Sequence, residues 1–456
     1  KRGKIQIGIL WIMIIICYIT TNIQTTPVYV MMPLDVVDEN GNLHNWNTMQ
    51  GWLKKLRSET AIKGIMIDVW WGLVEKQPRI YNWKPYRDLF NFCRDNNIAV
   101  SAVLSFHQCG SNVGDNVYIP LPEFVRKNGT FYTDRSGWVN YEVLSLSADN
   151  LPSFEPAGRT GLDLYEDYMR SFKTEFGDLI RAGVIDQITP SMGPASELRY
   201  PSYPEQQKDN HVIWSYPGIG EFQCYDKYML ENLEKAAQQA GHPEWGHGGP
   251  NNAGYYNSKP YETAFFSDNQ QDNYNSEYGK FFLNWYSNQI VDHGDRILYR
   301  ATTVFNDTNV HLAAKISGLH WWFDSTSHAI ENTAGYYDTR QYNGYEKLAA
   351  MMQKYNVEFA FTCFELPKGD FDSDPEGLIT LTGGTARRYN IRYGGENALP
   401  IYGDHGKYDT MVYRSCLSGK PLDSFTFLRL NDGLINDPHQ FGEFQAFTDR
   451  MAHLTC

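Results

Sequence analysis

Residues 64–72 read Gly-Ile-Met-Ile-Asp-Val-Trp-Trp-Gly, an apolar run that ends in an acid and two tryptophans. Polar and apolar residues do not alternate along it, as they do in a strand that buries only one face. Near-continuous apolar runs are typical of parallel sheets, which are covered on both faces. The run therefore predicts a buried parallel strand that carries Asp68 near its carboxyl end.

Seven more short apolar runs occur along the chain, and helical patterns fill the gaps between the runs. Met49, Trp52, Leu53 and Leu56, for example, share one face of a predicted helix. Strand and helix alternating about eight times predict an α/β protein, a closed (β/α)8 TIM barrel. The eight predicted strands are 28–34, 64–69, 100–106, 188–192, 312–318, 359–364, 391–394 and 424–428.

Two predicted connections, about 108–162 and about 198–275, are far too long for simple crossovers. Both leave the carboxyl ends of strands, where barrel enzymes place their chemistry. We expect them to pack together as a small lobe above the barrel mouth, within a single catalytic domain over 26–456. The seventh helix, near 377–388, is predicted only weakly because Gly383 and Gly384 interrupt it.

The amino-terminal segment has the pattern of a secretory signal peptide. Basic residues precede an apolar run over 7–19, and a short polar stretch follows. We therefore expect residues 1–25 to be a signal peptide and the protein to be secreted, with an uncleaved anchor as the alternative. The sequons at Asn128 and Asn306 fit secretion, and the six cysteines after Cys17 allow one or two disulfides whose pairing the sequence does not give.

The net charge of -13 excludes two classes of partner. Nucleic acid and anionic membrane surfaces both require a basic footprint, so we expect neither as a partner after signal cleavage. Aromatic residues make up 15% of the chain, which suits binding of neutral, hydroxyl-rich ligands such as sugars. No cysteine pair has the spacing of a zinc site, and no metal site is predicted.

Polar residues follow the ends of seven predicted strands, and such ends meet on one rim of a barrel. Three of them, Asp68, Glu197 and Glu396, are acids with no obvious charge partner in the sequence. Paired carboxylates are what glycoside hydrolysis needs. The remaining rim residues are His107, Lys315, His320, Thr362, Glu365, Asn397 and Arg429.

Five motifs sharpen this interpretation. Residues 107–115 read His-Gln-Cys-Gly-Ser-Asn-Val-Gly-Asp, residues 193–203 read Gly-Pro-Ala-Ser-Glu-Leu-Arg-Tyr-Pro-Ser-Tyr, and residues 395–400 read Gly-Glu-Asn-Ala-Leu-Pro. Asp-Val-Trp-Trp-Gly at 68–72 and Phe-Thr-Cys at 361–363 complete the set. In this order, from about Pro27 to the carboxyl terminus, they closely resemble the β-amylases, a family of inverting exo-acting glucanases.

The resemblance implies a role for each matching residue. Glu197 matches the general acid and Glu396 the general base, and residues 110–115 match a flexible lid. The family needs no organic cofactor, acts on α-1,4-glucans such as starch or glycogen, and releases maltose. The residues that match substrate contacts are Asp68, His107, Asp115, Lys315, His320, Thr362, Asn397, Ala398 and Arg429.

Two departures from the family pattern bear on activity. Ser111 and Ser196 stand where the family usually has glycine; Ser111 could stiffen the lid, and Ser196 would be strained if its φ is positive. They motivate the alternative of a non-catalytic glucan- or maltose-binding protein. A retaining or endo-acting barrel glycosidase is a third hypothesis.

Other residues near the rim have plainer interpretations. Glu365 is interpreted as one half of a structural ion pair rather than as the base, and Cys109 and Cys363 as buried thiols rather than nucleophiles. His107 and His320 would be read as core histidines without the motifs. The tryptophan pairs at 70–71 and 321–322 are interpreted as barrel packing, with one or two rings facing sugar.

Overall fold

The computed structural model describes residues 25–154, 158–208 and 211–456. Eight parallel strands close into a barrel in the order β1-β12-β11-β10-β9-β6-β3-β2, which confirms the predicted (β/α)8 TIM barrel. The predicted leader, 1–25, lies almost wholly outside the described residues. The barrel strands are β1 (Val28–Met31), β2 (Gly64–Trp70), β3 (Ala99–Ser105), β6 (Ile185–Pro190), β9 (His311–Ile316), β10 (Glu358–Phe361), β11 (Tyr393–Glu396) and β12 (Ser424–Phe427).

Helices surround the barrel, and two short hairpins lie in the long connections. The hairpins are β4 (Phe131–Thr133) with β5 (Val139–Leu144), and β7 (Gln207–Lys208) with β8 (His211–Val212). The helices are α1 (Trp46–Glu59), α2 (Trp71–Val74), α3 (Lys84–Asp95), α4 (Glu123–Asn128), α5 (Gly161–Arg181), α6 (Lys227–Gln239), α7 (Glu277–Phe305), α8 (Ala329–Ala334), α9 (Tyr345–Tyr355), α10 (Pro375–Arg388), α11 (His405–Arg414), α12 (Asp432–Asn436) and α13 (Pro438–Ala452). Within the described ranges no helix combines the length and hydropathy that a membrane span requires.

The strands are buried on both faces, as their sequences predict. All seven residues of β2 are buried, and β2 pairs with β3 along its whole length, from Gly64 with Ala99 to Trp70 with Ser105. Tyr29, Met31, Met66 and Val103 form a small apolar cluster separate from the main core, as expected for side chains inside the barrel. The main core lies between the strands and the helices.

Three predicted elements differ from the structure. Strand β11 is Tyr393–Glu396 rather than the predicted 391–394, so Glu396 belongs to the strand instead of following it. Strand β6 begins at Ile185, not 188, because its polar Gln187 is buried and bonds Ser101 of β3 (2.7 Å) and Glu358 of β10 (3.2 Å). Helix α10 is intact despite its glycines. A Cβ on Gly383 would lie 3.2 Å from Tyr393 and 3.1 Å from Ser418, so the missing side chain lets the helix approach its neighbours.

Hydrogen bonds join the two long connections to each other. The Tyr225 amide donates to the Thr133 carbonyl (3.0 Å), and Ser145 Oγ donates to Asp226 (2.9 Å). Tyr256 donates from its hydroxyl to the Asp134 carboxylate (3.0 Å). The segments that leave β3 and β6 therefore form one lobe joined by hydrogen bonds.

One disulfide is present among the described cysteines. It joins Cys416, just after α11, to Cys456 near the end of the sequence, with 5.3 Å between the Cα atoms. The thiols of Cys93, Cys109, Cys224 and Cys363 are free and buried. The bridge ties the carboxyl-terminal segment to the last helical layer.

Candidate active site

Lys315 stands at the centre of the group of charged residues in the barrel mouth. It projects from β9, is buried, and its Nζ lies 2.9 Å from Oε2 of Glu396, the last residue of β11. Burial alone would lower the pKa of Lys315, but the charges of Glu396, Asp68 and Glu197 raise it. Lys315 is therefore a cation held among three acids, two of which are the predicted catalytic pair.

Glu197 reaches the same centre through the segment that follows β6. After a short 3-10 turn at Pro194–Ser196, Glu197 forms an isolated parallel bridge with Lys315, and the Leu198 amide donates to the Lys315 carbonyl (2.9 Å). The Glu197 carboxylate is buried and accepts a hydrogen bond from Arg199 Nε at 2.7 Å. The expectation that these acids have no charge partner was wrong for Glu197 and Glu396, each of which is in an ion pair.

The surroundings of Glu396 change the pKa of its carboxyl from that of a surface glutamate. Burial raises the pKa of its carboxyl, the ion pair with Lys315 opposes this rise, and the nearby Glu197 charge adds to it. The Glu197 carboxylate therefore acts on the ionisation of Glu396, and the two acids form a pair. Such a pair can divide into one proton donor and one proton acceptor.

Arg199 links Glu197 to the lid. Its Nη2 donates to Oδ1 of Asn112 (2.9 Å), and Asn112 Nδ2 donates to Oε1 of Glu142 (2.7 Å). Burial raises the pKa of Glu142 to about 7, while Arg199 and Asn112 oppose the rise.

Neither Arg199 nor Glu142 was predicted from the sequence as a site residue. Arg199 lies within a quoted motif, but Glu142 is brought in by the hairpin β4–β5 and has no local signal.

Asp68, His107 and Arg429 line the opposite side of the mouth. Asp68 accepts from Ser105 Oγ (2.8 Å), and burial raises the pKa of its carboxyl although the Arg429 and Lys315 charges oppose this. Burial lowers the pKa of His107 to about 3, so its ring is neutral. Arg429 donates to the Met32 carbonyl (2.9 Å). All three side chains are therefore held at the barrel mouth, and their contacts with substrate stay predictions.

In this structure the predicted lid, residues 110–115, is held by hydrogen bonds within its own loop. Asp115 Oδ2 accepts from the backbone amides of Gly110 (2.7 Å), Ser111 (3.0 Å) and Asn112 (3.0 Å). Gly110 and Gly114 have φ of +109° and +85°, which is the backbone freedom expected of them. The Asp115 carboxylate, predicted to contact sugar, is therefore bonded through Oδ2 to the backbone of its own loop.

The two serine departures have different consequences. Ser196 has φ of +63°, so the predicted strain is present there. Ser111 is not among the residues with positive φ. It is buried, and its Oγ accepts from Gln108 Nε2 (3.1 Å) and Gln206 Nε2 (2.7 Å). Ser111 therefore fastens the lid to the lobe by hydrogen bonds.

His320 and Thr362 lie on the side of the mouth formed by β9 and β10. His320 Nδ1 is 2.7 Å from Ser373 Oγ, and burial lowers the pKa of its ring to about 4. Thr362 Oγ1 accepts from the Gly318 amide (2.8 Å). Both residues are held by neighbouring loops, and their contacts with substrate stay predictions.

Asn397, Ala398 and Glu365 form a supporting cluster beyond Glu396. The Asn397 amide donates to the carbonyls of Leu399 (2.9 Å) and Leu428 (2.8 Å) and accepts from the Leu428 amide (2.9 Å). Glu365 accepts from the amides of Ala398 (2.9 Å) and Leu399 (2.6 Å). The structural interpretation of Glu365 fits these contacts, but they are backbone hydrogen bonds rather than the predicted ion pair. The hydrogen bonds of the Asn397 side chain hold the carboxyl ends of β11 and β12 together.

Outside the mouth, one described group has the composition of a metal site: His328, Glu331 and Asp338. The His328 Nδ1 lies 2.7 Å from Asp338 and 3.2 Å from Glu331. A single ring nitrogen thus faces both carboxylates at hydrogen-bond distance, so a proton there satisfies the cluster. We interpret it as a buried ion-pair triad.

The sequence of the chain matches those of known proteins over most of its length. The sequence model of glycosyl hydrolase family 14 matches residues 29–455. This chain belongs to that family, the β-amylase family. Beta-amylase 5 of Arabidopsis thaliana is 44% identical over 443 residues, covering 93% of this chain and 86% of the relative. A Glycine max beta-amylase is 42% identical over 450 residues, covering 93% of this chain and 86% of the relative.

Solved structures agree with the family assignment. The catalytic domain of beta-amylase from Paenibacillus polymyxa has a TM-score of 0.76 and 28% identity, and the match covers 94% of this chain and 99% of that one. A variant of a GH42 beta-galactosidase from G. stearothermophilus has a TM-score of 0.54 at 9% identity, covering 94% of this chain and 57% of that one, and shares the fold alone. Members of glycosyl hydrolase family 14 thus share with this chain the barrel that carries the acids.

Proposed function

We propose that this protein is a β-amylase, which hydrolyses α-1,4-glucosidic bonds of starch- or glycogen-type polysaccharides from their non-reducing ends and releases β-maltose. The observation that carries the proposal is the pair of buried carboxylates, Glu197 and Glu396, held around Lys315 in the barrel mouth of a glycosyl hydrolase family 14 chain.

Glu197 is the proposed acid and Glu396 the proposed base. Glu197 donates a proton to the glycosidic oxygen as the bond from that oxygen to the anomeric carbon breaks. Glu396 takes a proton from the water that attacks the opposite face of the same carbon, and the configuration inverts. The Lys315 ammonium beside Glu396 favours the ionised carboxylate that this step requires.

We propose that the lid, residues 110–115, closes over the site when substrate binds. Glycines at positive φ flank it, and Asp115 is bonded to its own loop. When a chain end enters, the Asp115 carboxylate can exchange its bonds to the lid amides for sugar hydroxyls. Closure then excludes bulk water from the reacting bond.

Product analysis by NMR on soluble starch tests the proposal. We expect the wild-type protein to release maltose whose first-formed anomer is β. A first-formed α anomer would indicate a retaining enzyme, and mixed oligosaccharides would indicate endo action. A protein that makes no product but gains thermal stability with maltose would be the non-catalytic alternative.

Replacing Lys315 with Met should move the acidic limb of the kcat/KM pH profile to higher pH. Without the ammonium the pKa of Glu396 rises further, so the base becomes protonated at higher pH than in the wild type. Activity should therefore fall most on the acidic side. The profile is measured on soluble starch, with Lys354→Met as control because Lys354 forms an exposed ion pair with Asp295 (2.7 Å). A uniform loss with an unmoved limb would contradict the role given to Lys315.

We also propose that the protein is secreted. The amino-terminal pattern supports export, and the Cys416–Cys456 disulfide is typical of oxidising compartments. Both sequon asparagines, Asn128 and Asn306, are exposed. Three relatives are named chloroplastic, which makes the plastid the competing location. Expression of the full chain in a eukaryotic secretory host should place activity in the medium with a glycosidase-sensitive mobility. Retention of all activity inside the cells would overturn this proposal.

A further inference from the structure

Three large aromatic side chains are exposed together beside the mouth: Tyr216 (49% exposed), Phe371 (40%) and Tyr261 (68%). They surround Trp321 and Trp322, which are buried, and we call the three exposed rings the outer aromatic rim. The rim comes from two separate parts of the chain: Tyr216 and Tyr261 lie in the lobe, and Phe371 lies in the loop after β10. The convergence of exposed rings from distant segments indicates a binding surface rather than scattered surface residues.

The rim is continuous with the active site through a row of aromatic rings. Arg199, the partner of Glu197, lies over the Tyr203 ring at 4.2 Å, and the Tyr203 ring centre is 5.8 Å from that of Trp321. Trp321 is 5.6 Å from Tyr216, and Tyr216 is 5.7 Å from Phe371. The row thus runs from the proposed acid outward to solvent.

The rim is also next to the predicted leaving-group side. The Tyr216 ring centre is 6.4 Å from the ring of His320. Two indoles fix this placement, because Trp321 donates to the Gly218 carbonyl (3.1 Å) and Trp322 to the Pro217 carbonyl (2.7 Å). The segment that carries Tyr216 is therefore bonded directly to the loop that carries His320.

Phe371 is held in place from its backbone. Its carbonyl accepts from the Trp322 amide (2.8 Å), and the ring centres of Phe371 and Trp322 are 5.7 Å apart. Tyr261 contacts the same indole at 6.1 Å. The rim is a braced surface, so its rings lose little freedom on binding a ligand.

The charges around the rim favour a neutral ligand. Asp370 is close enough to raise the pKa of the Tyr216 hydroxyl, after burial as the larger cause. Lys368 is in ion pairs with Asp324 (2.8 Å) and Asp374 (3.1 Å). Aromatic faces without a free cationic cluster suit the apolar faces of sugar rings better than anionic groups.

We propose that Tyr216, Phe371 and Tyr261 form an outer glucan-binding site that holds the part of a long α-1,4-glucan beyond the leaving group. This inference rests on the proposed function, since it supposes that the reacting chain leaves the mouth past His320. Only substrates long enough to reach the rim gain from it, so the rim favours polysaccharide over short maltooligosaccharide.

The test compares long-chain amylose with maltotetraose. Tyr216→Ala, Tyr261→Ala and Phe371→Asn should each lower kcat/KM on amylose by about 2- to 10-fold and leave it unchanged on maltotetraose. Asn is chosen at 371 because φ there is +61°, which Asn tolerates. Tyr216→Trp, which keeps a ring, should retain the wild-type value. Tyr299→Ala is the matched control, because Tyr299 is 59% exposed on α7.

Retardation in amylopectin gels is a second readout that does not require turnover. The three variants should migrate faster than the wild type and the Tyr299→Ala control. Equal retardation together with equal kinetics on amylose would overturn the outer site, even if starch hydrolysis is confirmed. Equal losses on amylose and maltotetraose would also overturn it, since they would indicate damage to the mouth itself. Inactive wild-type protein would refute the proposed function while the gels still decide the binding site.

Discussion

Replacing Glu197 with Gln should lower kcat on soluble starch by about 10²–10⁴-fold with little change in KM, because the amide cannot supply the proton that the leaving oxygen needs. The side chain keeps its shape, and it still has an oxygen that can accept from Arg199 Nε, now 2.7 Å away. Binding of the chain end should therefore survive. The measurement is initial-rate kinetics at several starch concentrations.

The proton-donor role is separable from general damage by the choice of leaving group. A para-nitrophenyl maltoside needs little proton assistance, so Glu197→Gln should lose far less activity on it than on starch. Glu396→Gln should lose activity on both, because the water must still be activated. Glu365→Gln is the control for a buried carboxylate that bonds only backbone amides, and less than a tenfold loss is expected. Similar losses of Glu197→Gln on both substrates would rule out the acid role.

The barrel was predictable because its signals are local. Each strand is a short apolar run, and the residue at its carboxyl end can be read directly, as with Asp68 in β2 and Glu396 in β11. The fixed geometry of a parallel barrel then brings these ends together. The start of β6 was missed because Gln187, a polar residue that lies inside the barrel, interrupts the apolar run by which the strand was recognised.

The partners of the acids were not predictable in the same way. Glu197 and Arg199 are two residues apart in a loop, and whether their side chains meet depends on the 3-10 turn at Pro194–Ser196. Glu142 approaches Asn112 only because the lobe folds back over the mouth. Asp115 was assigned to the predicted lid, but its bonds to backbone amides follow from the loop conformation and leave no trace in the side-chain sequence.

His328 is expected to contribute strongly to stability, and His328→Asn should lower the free energy of unfolding by about 3–5 kcal/mol. The buried ring is hydrogen-bonded to Asp338 and lies 3.2 Å from Glu331, and removing it leaves two buried carboxylates without their cation. Asn suits the left-handed backbone of this position, where φ is +43°, so the loss reports the charge rather than the backbone. Urea denaturation followed by tryptophan fluorescence gives the value.

The matched control is His44→Asn, since His44 forms an exposed ion pair with Asp35 (2.8 Å) and should contribute at most about 1 kcal/mol. Combining His328→Asn with Glu331→Gln and Asp338→Asn should restore part of the loss, because the uncompensated charges are gone. A loss no larger than that of the control would show that the triad does not stabilise the fold.

The pH dependence gives an independent check of the same triad. Burial alone would lower the pKa of His328, but Asp338 and Glu331 raise it to about 9, above the ordinary histidine value. A raised histidine pKa contributes stability that is complete below about pH 6.5 and is lost as the pH rises through about 9. Burial raises the pKa of Glu331 to about 7, so ionisation of this acid lowers stability mainly between about pH 4.5 and 7, below the range in which the histidine titrates. The wild-type melting temperature should therefore fall between pH 7 and 10 more steeply than that of the triple variant, in which none of the three groups titrates.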